Sequence, residues 1–222
     1  IGGYRFTRWS MATFHENGQP YVNTEHLFDF SQKFLDEYFP YCIEMARAFV
    51  QPKYQSAQAG RKALFALDNL WDGIGGLVAT DPSVKYLSGK VTIYSSSPEL
   101  SRKAMIYYLD KHFGDREGLI TSKNPERWTD EQEEYFNEMF NGANYKEDYQ
   151  ILNNYVKSFG DVIPPLIHSY IGLSETMKTF GTTFDPDFGD CYDTAMIITI
   201  ADIYKEKYDR YINSYFSEAE KA

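Results

Sequence analysis

With 222 residues, 43% of them hydrophobic and 17% aromatic, the chain is long enough to bury a substantial core in one domain. Its apolar stretch from Ala195 to Ala201 is far shorter than the roughly 18 residues that a membrane-spanning helix needs. The net charge of −10 disfavours a nucleic-acid-binding protein, because an acidic chain repels phosphate backbones.

The excess negative charge is unevenly placed. Residues 1–120 carry 13 basic and 13 acidic side chains, whereas residues 121–222 carry 9 basic and 19 acidic ones. Between Arg47 and Leu67 there are four basic side chains and no acidic one. This basic segment either receives an anionic ligand or partner or is an exposed loop that lacks acids, and the sequence leaves both interpretations open.

The N-terminal part begins with a strand pattern. Residues 1–9 alternate as a strand does, and Gly2 and Gly3 indicate a bulge or a close backbone approach. Ser31 is placed to cap a short helix that runs to Tyr38. The nearly uncharged segment from Tyr41 to Val50 then predicts a buried strand in the centre of a sheet.

A helix, a strand and a helix follow in the next sixty residues. Apolar residues recur at helical spacing in the segment from Gly60 to Ala79. The segment Tyr86 to Ser95 predicts a strand, and Pro98 opens a helix that runs to Phe113. Alternating strands and helices favour a parallel or mixed sheet with helices packed against it.

The C-terminal half is expected to complete the sheet. Residues 126–160 are polar, aromatic and helical in pattern. Thr176 to Phe184 and Ala195 to Ile200 are strand candidates, and Ala201 to Phe216 predicts a closing amphipathic helix. We therefore expect an α/β fold in a single domain over residues 1–222, with residues 1–120 forming the core and residues 121–222 an acidic half that completes a mixed sheet.

Motifs for nucleophilic or metal chemistry are missing from the sequence. There is no Gly-x-Ser-x-Gly turn, and no histidine is followed by an aspartate five residues later. The four histidines and two cysteines show no metal-binding spacing either, so no metal site is expected.

Glu44 is the residue that departs most from its surroundings. A carboxylate in this apolar run would lose its hydration in a central strand, which implies a function or a partner. Strand alternation puts Glu44 on one face with small neighbours and Arg47 on the other. A bulge near Met45 or Ala46 would bring both to one face. A purely structural ion pair between Glu44 and Arg47 is an equally weighted alternative.

The segment from Glu44 to Val50, following Gly3-Tyr4-Arg5, resembles the acyl-carrier-protein-dependent branch of the GNAT acyltransferases. This branch includes acyl-homoserine-lactone synthases and the N-acyltransferases that start ornithine and glycine lipids, some of which carry the label hemolysin. The resemblance implies a GNAT-like sheet and assigns Arg5, Glu44 and Arg47 to an active-site set.

The C-terminal half resembles the aminolipid N-acyltransferases more specifically. The segments from Pro164 to Tyr170 and from Phe184 to Gly189 are similar to their Pro-Pro-Leu and Asp-Pro-x-Phe signatures. The chain departs from the family at its start, where an initial strand and helix bearing an Arg and an Asp-x-Phe-Asp motif should precede Gly3. The residues that the family uses in the first part of its acceptor site are therefore not found among residues 1–222.

The resemblance also implies the acyl donor. The turn that binds pyrophosphate in coenzyme A enzymes has only Gly60 left between Gln55 and Ala63. A donor on acyl carrier protein has no adenine nucleotide, so no permanently bound cofactor is expected. The basic segment, with Lys53, Arg61 and Lys62, would then receive the acidic carrier protein.

The family mechanism suggests a role for each site residue. Glu44 is the expected base that takes a proton from the acceptor amine, and a backbone amide near Phe49 or Val50 would hold the oxyanion. Tyr108 is a candidate acid for the departing thiolate, with a packed helix tyrosine as the alternative. Arg5 or Arg47 would bind the carboxylate of an amino-acid acceptor.

The expected function is transfer of a (3-hydroxy)fatty acyl group from acyl carrier protein to glycine or ornithine in aminolipid synthesis. Glycine is favoured because the sequence shows no evident acidic cluster for a second ammonium group. The alternatives are a signal synthase that acylates S-adenosylmethionine and a non-catalytic, hemolysin-like protein. The expected location is cytoplasmic, with peripheral contact at the inner membrane through the product as a further expectation.

Overall fold

The computed structural model describes residues 2–54 and 61–219, and the side chains of residues 61–68 and 217–219 lie outside that description. Within it, the strands are β1 (Gly2–Arg8), β2 (Phe28–Phe30), β3 (Cys42–Val50), β4 (Tyr86–Tyr94), β5 (Ile120–Ser122), β6 (Lys178–Asp185) and β7 (Cys191–Thr199). The α-helices are α1 (Gln32–Glu37), α2 (Arg61–Thr80), α3 (Glu99–Phe113), α4 (Asp130–Met139), α5 (Tyr145–Ser158), α6 (Pro165–Ile171), α7 (Lys205–Tyr208) and α8 (Ser214–Ala219).

A mixed five-stranded sheet lies at the centre of the fold. Its strand order is β1-β3-β4-β7-β6, and β3 and β4 are parallel while the other neighbours are antiparallel. Helices flank this sheet, so the predicted α/β class with a mixed sheet is confirmed. Strands from both halves of the sequence take part, since β6 and β7 come from the acidic C-terminal half.

The two parallel strands separate partway along their length. Their pairing runs from Cys42 opposite Tyr86 to Met45 opposite Gly89. Beyond that point β3 continues against β1, and β4 continues against β7. A V-shaped split therefore opens between β3 and β4 after Met45, and we call it the split.

Different cores cover the two sides of the sheet. On the helical side, Ile43 and Met45 of β3 pack in a large cluster with α2, α3, α5 and α6. On the other side, Cys42 of β3 packs in an aromatic cluster that includes Trp9 and Phe34 and extends to the small sheet of β2 and β5. We call this second side the aromatic side.

Most of the helices and strands lie where the sequence predicted them, and the differences are near the end of the chain. The last helix begins at Lys205 and not at Ala201, because residues 200–202 form a 3-10 turn. A π-helical turn, Asp209–Asn213, then joins α7 to α8. Strand β7 begins at Cys191, four residues before the predicted Ala195, and the sheet of β2 and β5 was not predicted. None of the described helices is long and apolar enough to span a membrane.

Candidate functional site

Glu44 is buried in the aromatic side of the sheet, one residue before the split opens. Its side chain is 1% exposed. The Oε2 atom accepts hydrogen bonds from Trp9 Nε1 at 3.1 Å and from the backbone N–H of Asn23 at 3.2 Å. The other oxygen, Oε1, makes no hydrogen bond of good geometry with the described residues, but the buried Thr24 hydroxyl lies close enough to lower the pKa of Glu44. Oε2 is therefore held by two donors, whereas Oε1 has the Thr24 hydroxyl as its neighbour.

The surroundings of Glu44 change its acidity. Trp9 is stacked on Phe39 at a centroid distance of 5.0 Å, so an aromatic wall lies beside the carboxylate. Burial raises the pKa of Glu44, and the hydrogen bonds from Trp9, Asn23 and Thr24 together with the charge of Lys90 offset this only in part. A carboxylate with a raised pKa is a stronger proton acceptor, which suits a general base.

A bulge in β3 lies just beyond Glu44. Between the Gly3–Phe49 pair and the Arg5–Ala46 pair, β3 advances by three residues while β1 advances by two. Arg47 has a left-handed backbone with a φ of 56°, which is uncommon for a residue other than glycine. A bulge in β3 is therefore present, but its predicted position near Met45 or Ala46 is wrong, because those residues pair regularly with β1 and the bulge lies at Arg47.

The bulge directs Arg47 toward the aromatic side, where Glu44 lies. The Arg47 guanidinium is 5.5 Å from the ring centroid of Phe188, and the ammonium of Lys90 is 5.7 Å from the same centroid. Glu44 and Arg47 nevertheless form no ion pair in the described structure, since Glu44 bonds instead to Trp9 and Asn23. The alternative of a structural Glu44–Arg47 ion pair is therefore wrong.

A charged cluster around Lys90, which contains two buried aspartates, was not predicted from the sequence. Lys90 is the first residue of β4 after the split opens. Its Nζ lies 2.5 Å from Asp193 Oδ2, without hydrogen-bond alignment, and 3.4 Å from Asp185 Oδ2. His26 Nε2 also contacts Asp185, at 3.4 Å. The sequence signal for this cluster was the presence of charged residues inside predicted strands, which is the same signal that identified Glu44.

The Asp-Pro-x-Phe segment forms the connection between β6 and β7. Asp185 accepts a hydrogen bond from the backbone N–H of Asp187, and the chain then reverses through Gly189 and Asp190, with φ values of 73° and 51°. Burial alone would raise the pKa of Asp185, but the hydrogen bond from His26 and the charge of Lys90 outweigh it and leave the pKa lowered. This hairpin places Phe188 against Arg47 and Lys90.

The remaining predicted residues of the first strands lie around the split. Arg5 is exposed and stands opposite Ala46, so it shares the Glu44 side. Phe49, which is exposed, and Val50 pair with Gly3 and Gly2 at the far end of β3. The split opens after Met45, so Phe49 and Val50 lie at its wide end, and their proposed part in holding an oxyanion stays a prediction.

Tyr108 lies in the core of the helical side, away from the aromatic side. Its side chain is fully buried, and its hydroxyl donates a hydrogen bond to the backbone carbonyl of Tyr145 at 2.9 Å. Burial raises the pKa of Tyr108. This geometry favours the alternative of a packed helix tyrosine, and a role as an acid stays an untested prediction.

The basic segment is only partly described. Lys53 is exposed, with its ammonium 5.0 Å from the ring centroid of Tyr54. Arg61 opens α2, but the side chains of Arg61 and Lys62 lie outside the described residues, as does Gly60. Whether these side chains form one surface with Lys53 stays a prediction.

The Pro-Pro-Leu segment begins α6, with Pro165 in the first turn. Tyr170 at the end of this segment packs edge-on against Trp71 of α2, with ring centroids 5.8 Å apart. Nearby, α2 and the strands β1, β3 and β4 enclose an apolar cavity of about 280 Å³ on the helical side, lined in part by Tyr4, Met45 and Leu87.

The sequence is similar to two curated proteins that are both named glycine N(alpha)-acyltransferase. It is 44% identical to the protein of Phocaeicola vulgatus over 223 aligned positions, which cover 100% of this chain and 68% of the relative. It is also 44% identical to the protein of Bacteroides thetaiotaomicron over 215 positions, covering 97% of this chain and 64% of that relative. The chain belongs to the glycine N(alpha)-acyltransferase family.

This member of the glycine N(alpha)-acyltransferase family is thus an acyltransferase that spans about two thirds of the length of these relatives. No protein-family model matches the sequence, and no solved structure matches it. An acyltransferase must bring the acyl carbonyl of its donor and the acceptor together, and a proton acceptor must take the proton that the acceptor loses. Glu44 and the split are adjacent features of the described structure that can serve this purpose.

Proposed function

We propose that this protein transfers a (3-hydroxy)fatty acyl group from acyl carrier protein to the amine of glycine, as a step of aminolipid synthesis. The observation that supports this proposal most strongly is Glu44, a buried carboxylate with a raised pKa beside the split, in a chain 44% identical to proteins named for glycine acylation. The proposed location is the cytoplasm, with contact at the inner membrane through the lipid product.

The reaction needs a proton acceptor at the amine. The acceptor ammonium gives its proton to Glu44, directly or through one water, and the free amine attacks the thioester carbonyl. The C–N bond forms, the C–S bond breaks, and the second proton that the amine nitrogen loses passes to the departing pantetheine thiolate. Backbone amides of β3 beyond Met45, where pairing with β4 has ended, are the proposed donors to the oxyanion.

The apolar cavity on the helical side is our proposed site for the acyl chain. It reaches Ile43, Met45 and Leu87, the residues of β3 and β4 that precede the split. An acyl chain in this cavity would extend away from Glu44, which lies on the opposite side of the sheet. The thioester would then occupy the split, and the polar acceptor would approach from the aromatic side.

The acceptor carboxylate has a proposed partner in Arg47, with Arg5 as a second candidate. Arg47 is exposed on the Glu44 side, and a guanidinium can bind a carboxylate through two parallel hydrogen bonds. Binding the carboxylate at Arg47 places the amine toward Glu44, three residues earlier in the same strand.

Mass spectrometry of the reaction products tests this proposal. We expect the full-length protein, supplied with a 3-hydroxyacyl-acyl carrier protein and a panel of amino acids, to form N-acylglycine. The same reaction with acyl-coenzyme A as donor should be much slower. Absence of N-acylated product with every amino acid would overturn the proposed function, and equal use of both donors would overturn the carrier-protein part.

A further inference from the structure

Two buried aspartates lie next to each other on the aromatic side of the sheet. Asp185 ends β6 and is 1% exposed, and Asp193 lies in β7 and is 0% exposed. Buried carboxylates are costly unless a cation or a hydrogen bond compensates them. Lys90 supplies the cation, with its Nζ at 2.5 Å from Asp193 and 3.4 Å from Asp185. Lys90 therefore fills the position that the ammonium group of a ligand would otherwise take between these carboxylates.

This acidic pair lies within reach of an acceptor bound at Glu44. Ser88 of β4 stands opposite Glu44, and Lys90 is two residues further along on the same face. That step is about 7 Å along a strand, the order of the separation between the two amines of a short diamino acid. The charge of Lys90 also acts on Glu44, whose pKa it helps to lower against the larger effect of burial.

Arg47 adds a second cation at the same place. The charged groups of Arg47 and Lys90 lie 5.5 and 5.7 Å from the centroid of the Phe188 ring. An acceptor whose side chain carried an ammonium group would therefore approach two cations, while the place between Asp185 and Asp193 is already occupied by the Lys90 ammonium. Juxtaposed like charges weaken binding strongly.

We propose that Lys90 is a specificity-determining residue that closes the Asp185–Asp193 pair to a second ammonium group. Acceptors are thereby restricted to amino acids without a cationic side chain, and diamino acids such as ornithine are excluded. This inference rests on the proposed function and deepens it. The ammonium of Lys90, and not the absence of an acidic cluster, would be the reason why glycine is accepted and ornithine is not.

Norvaline and ornithine form the matched pair for a test, because ornithine is norvaline with a terminal ammonium group. Each is measured with the full-length protein as an acceptor or, where no product forms, as a competitive inhibitor of glycine acylation. We expect the wild-type protein to favour norvaline at least about tenfold. In Lys90→Met the preference should shift toward ornithine by about tenfold or more, because the ammonium that occupies the place between the two aspartates is then removed.

Two control variants separate this effect from general damage. Lys90→Arg keeps the cation and should keep the preference for norvaline. Lys33→Met removes an exposed lysine that pairs with Glu117 elsewhere, and it should leave the preference unchanged.

The outcomes distinguish this inference from the proposed function. If the wild-type protein acylates glycine but uses or binds ornithine as well as norvaline, the role of Lys90 in specificity is overturned while the proposed function stands. This comparison needs only the wild-type protein, so it holds even if Lys90→Met fails to fold. An unchanged preference in folded Lys90→Met overturns it in the same way. If no amino acid is acylated, the proposed function falls and the inference falls with it.

Discussion

At the scale of single residues, the effect of burial on Glu44 makes it possible to distinguish the proposed role as a base from a purely structural role. Trp9 and Asn23 donate to one oxygen only, so the fixed half of the group could be held equally well by a neutral amide. The charge itself is costly in this position, because burial raises the pKa of Glu44. A residue kept only for its hydrogen bonds would gain nothing from being ionised.

Glu44→Gln is therefore expected to leave the melting temperature at pH 7 equal to that of wild type or above it. The folded-state pKa is raised, so the stability that Glu44 contributes is present below its unfolded pKa and is lost as pH rises through the folded pKa. Any increase in melting temperature of Glu44→Gln over wild type at pH 7 should accordingly vanish toward pH 4. Thermal unfolding of both proteins between pH 4 and pH 7 measures this difference. A fall of more than about 4 °C at pH 7, or ~1 kcal/mol, would indicate a structural carboxylate.

Arg47→Gly tests the bulge and the guanidinium separately. Glycine accepts the φ of 56° without strain but has more freedom to lose on folding, so we expect the free energy of unfolding to stay within about 1 kcal/mol of wild type. The KM for glycine should rise about tenfold or more, because a charge-assisted pair is lost, while the KM for the acyl donor stays constant. An unchanged KM for glycine in steady-state kinetics would remove Arg47 from acceptor binding.

At the scale of elements, the sequence predicted the features of single segments better than the contacts between distant segments. The buried strand around Glu44 and its bulge follow from residues within one segment. The cluster of Lys90 and Asp193 depends on the pairing of β4 with β7, about one hundred residues apart, which no local pattern specifies. Asp185 was found within a motif, but its contact with Lys90 was not predictable for the same reason.

Helix α2 offers a matched pair of glycines for testing how the helical side packs. A Cβ atom on Gly75 would lie 1.9 Å from the carbonyl oxygen of Tyr211, whereas one on Gly73 would meet nothing within 4 Å. Gly75→Ala should lower the free energy of unfolding by roughly 1–3 kcal/mol, because the two helices must move apart.

Gly73→Ala should instead raise the free energy of unfolding by about 0.5–1 kcal/mol, as expected within a helix. Chemical denaturation of both variants checks the pair. Equal effects at the two positions would contradict the close contact between α2 and the π-helical turn.

At the scale of the whole molecule, the sheet separates two environments that meet at the split. The aromatic side carries Glu44, Lys90 and Arg47, and the helical side carries the apolar cavity. A net charge of −10 would repel an acidic carrier protein, so the proposed carrier-protein donor would require a local basic surface. Besides Arg47, Lys53 is a described and exposed member of the basic segment that extends from β3 toward α2.

Lys53→Glu is expected to raise the KM for acyl carrier protein about fivefold to tenfold at low salt, with little effect on kcat. The difference should shrink as ionic strength rises, because salt screens exposed charges. Lys146→Glu is the matched control, since Lys146 lies over the neighbouring Tyr145 ring much as Lys53 lies over Tyr54. Equal kinetics for the two variants would exclude Lys53 from the docking surface.

The most direct test of the central claim compares N-acylglycine formation by wild-type protein and Glu44→Gln. Both are assayed at pH 7 with a 3-hydroxyacyl-acyl carrier protein and glycine, and the product is quantified by mass spectrometry. Removing a general base should lower the rate by about 10²–10⁴-fold in a variant that remains folded. Formation of N-acylglycine at the wild-type rate by Glu44→Gln would contradict the assignment of Glu44 as the base.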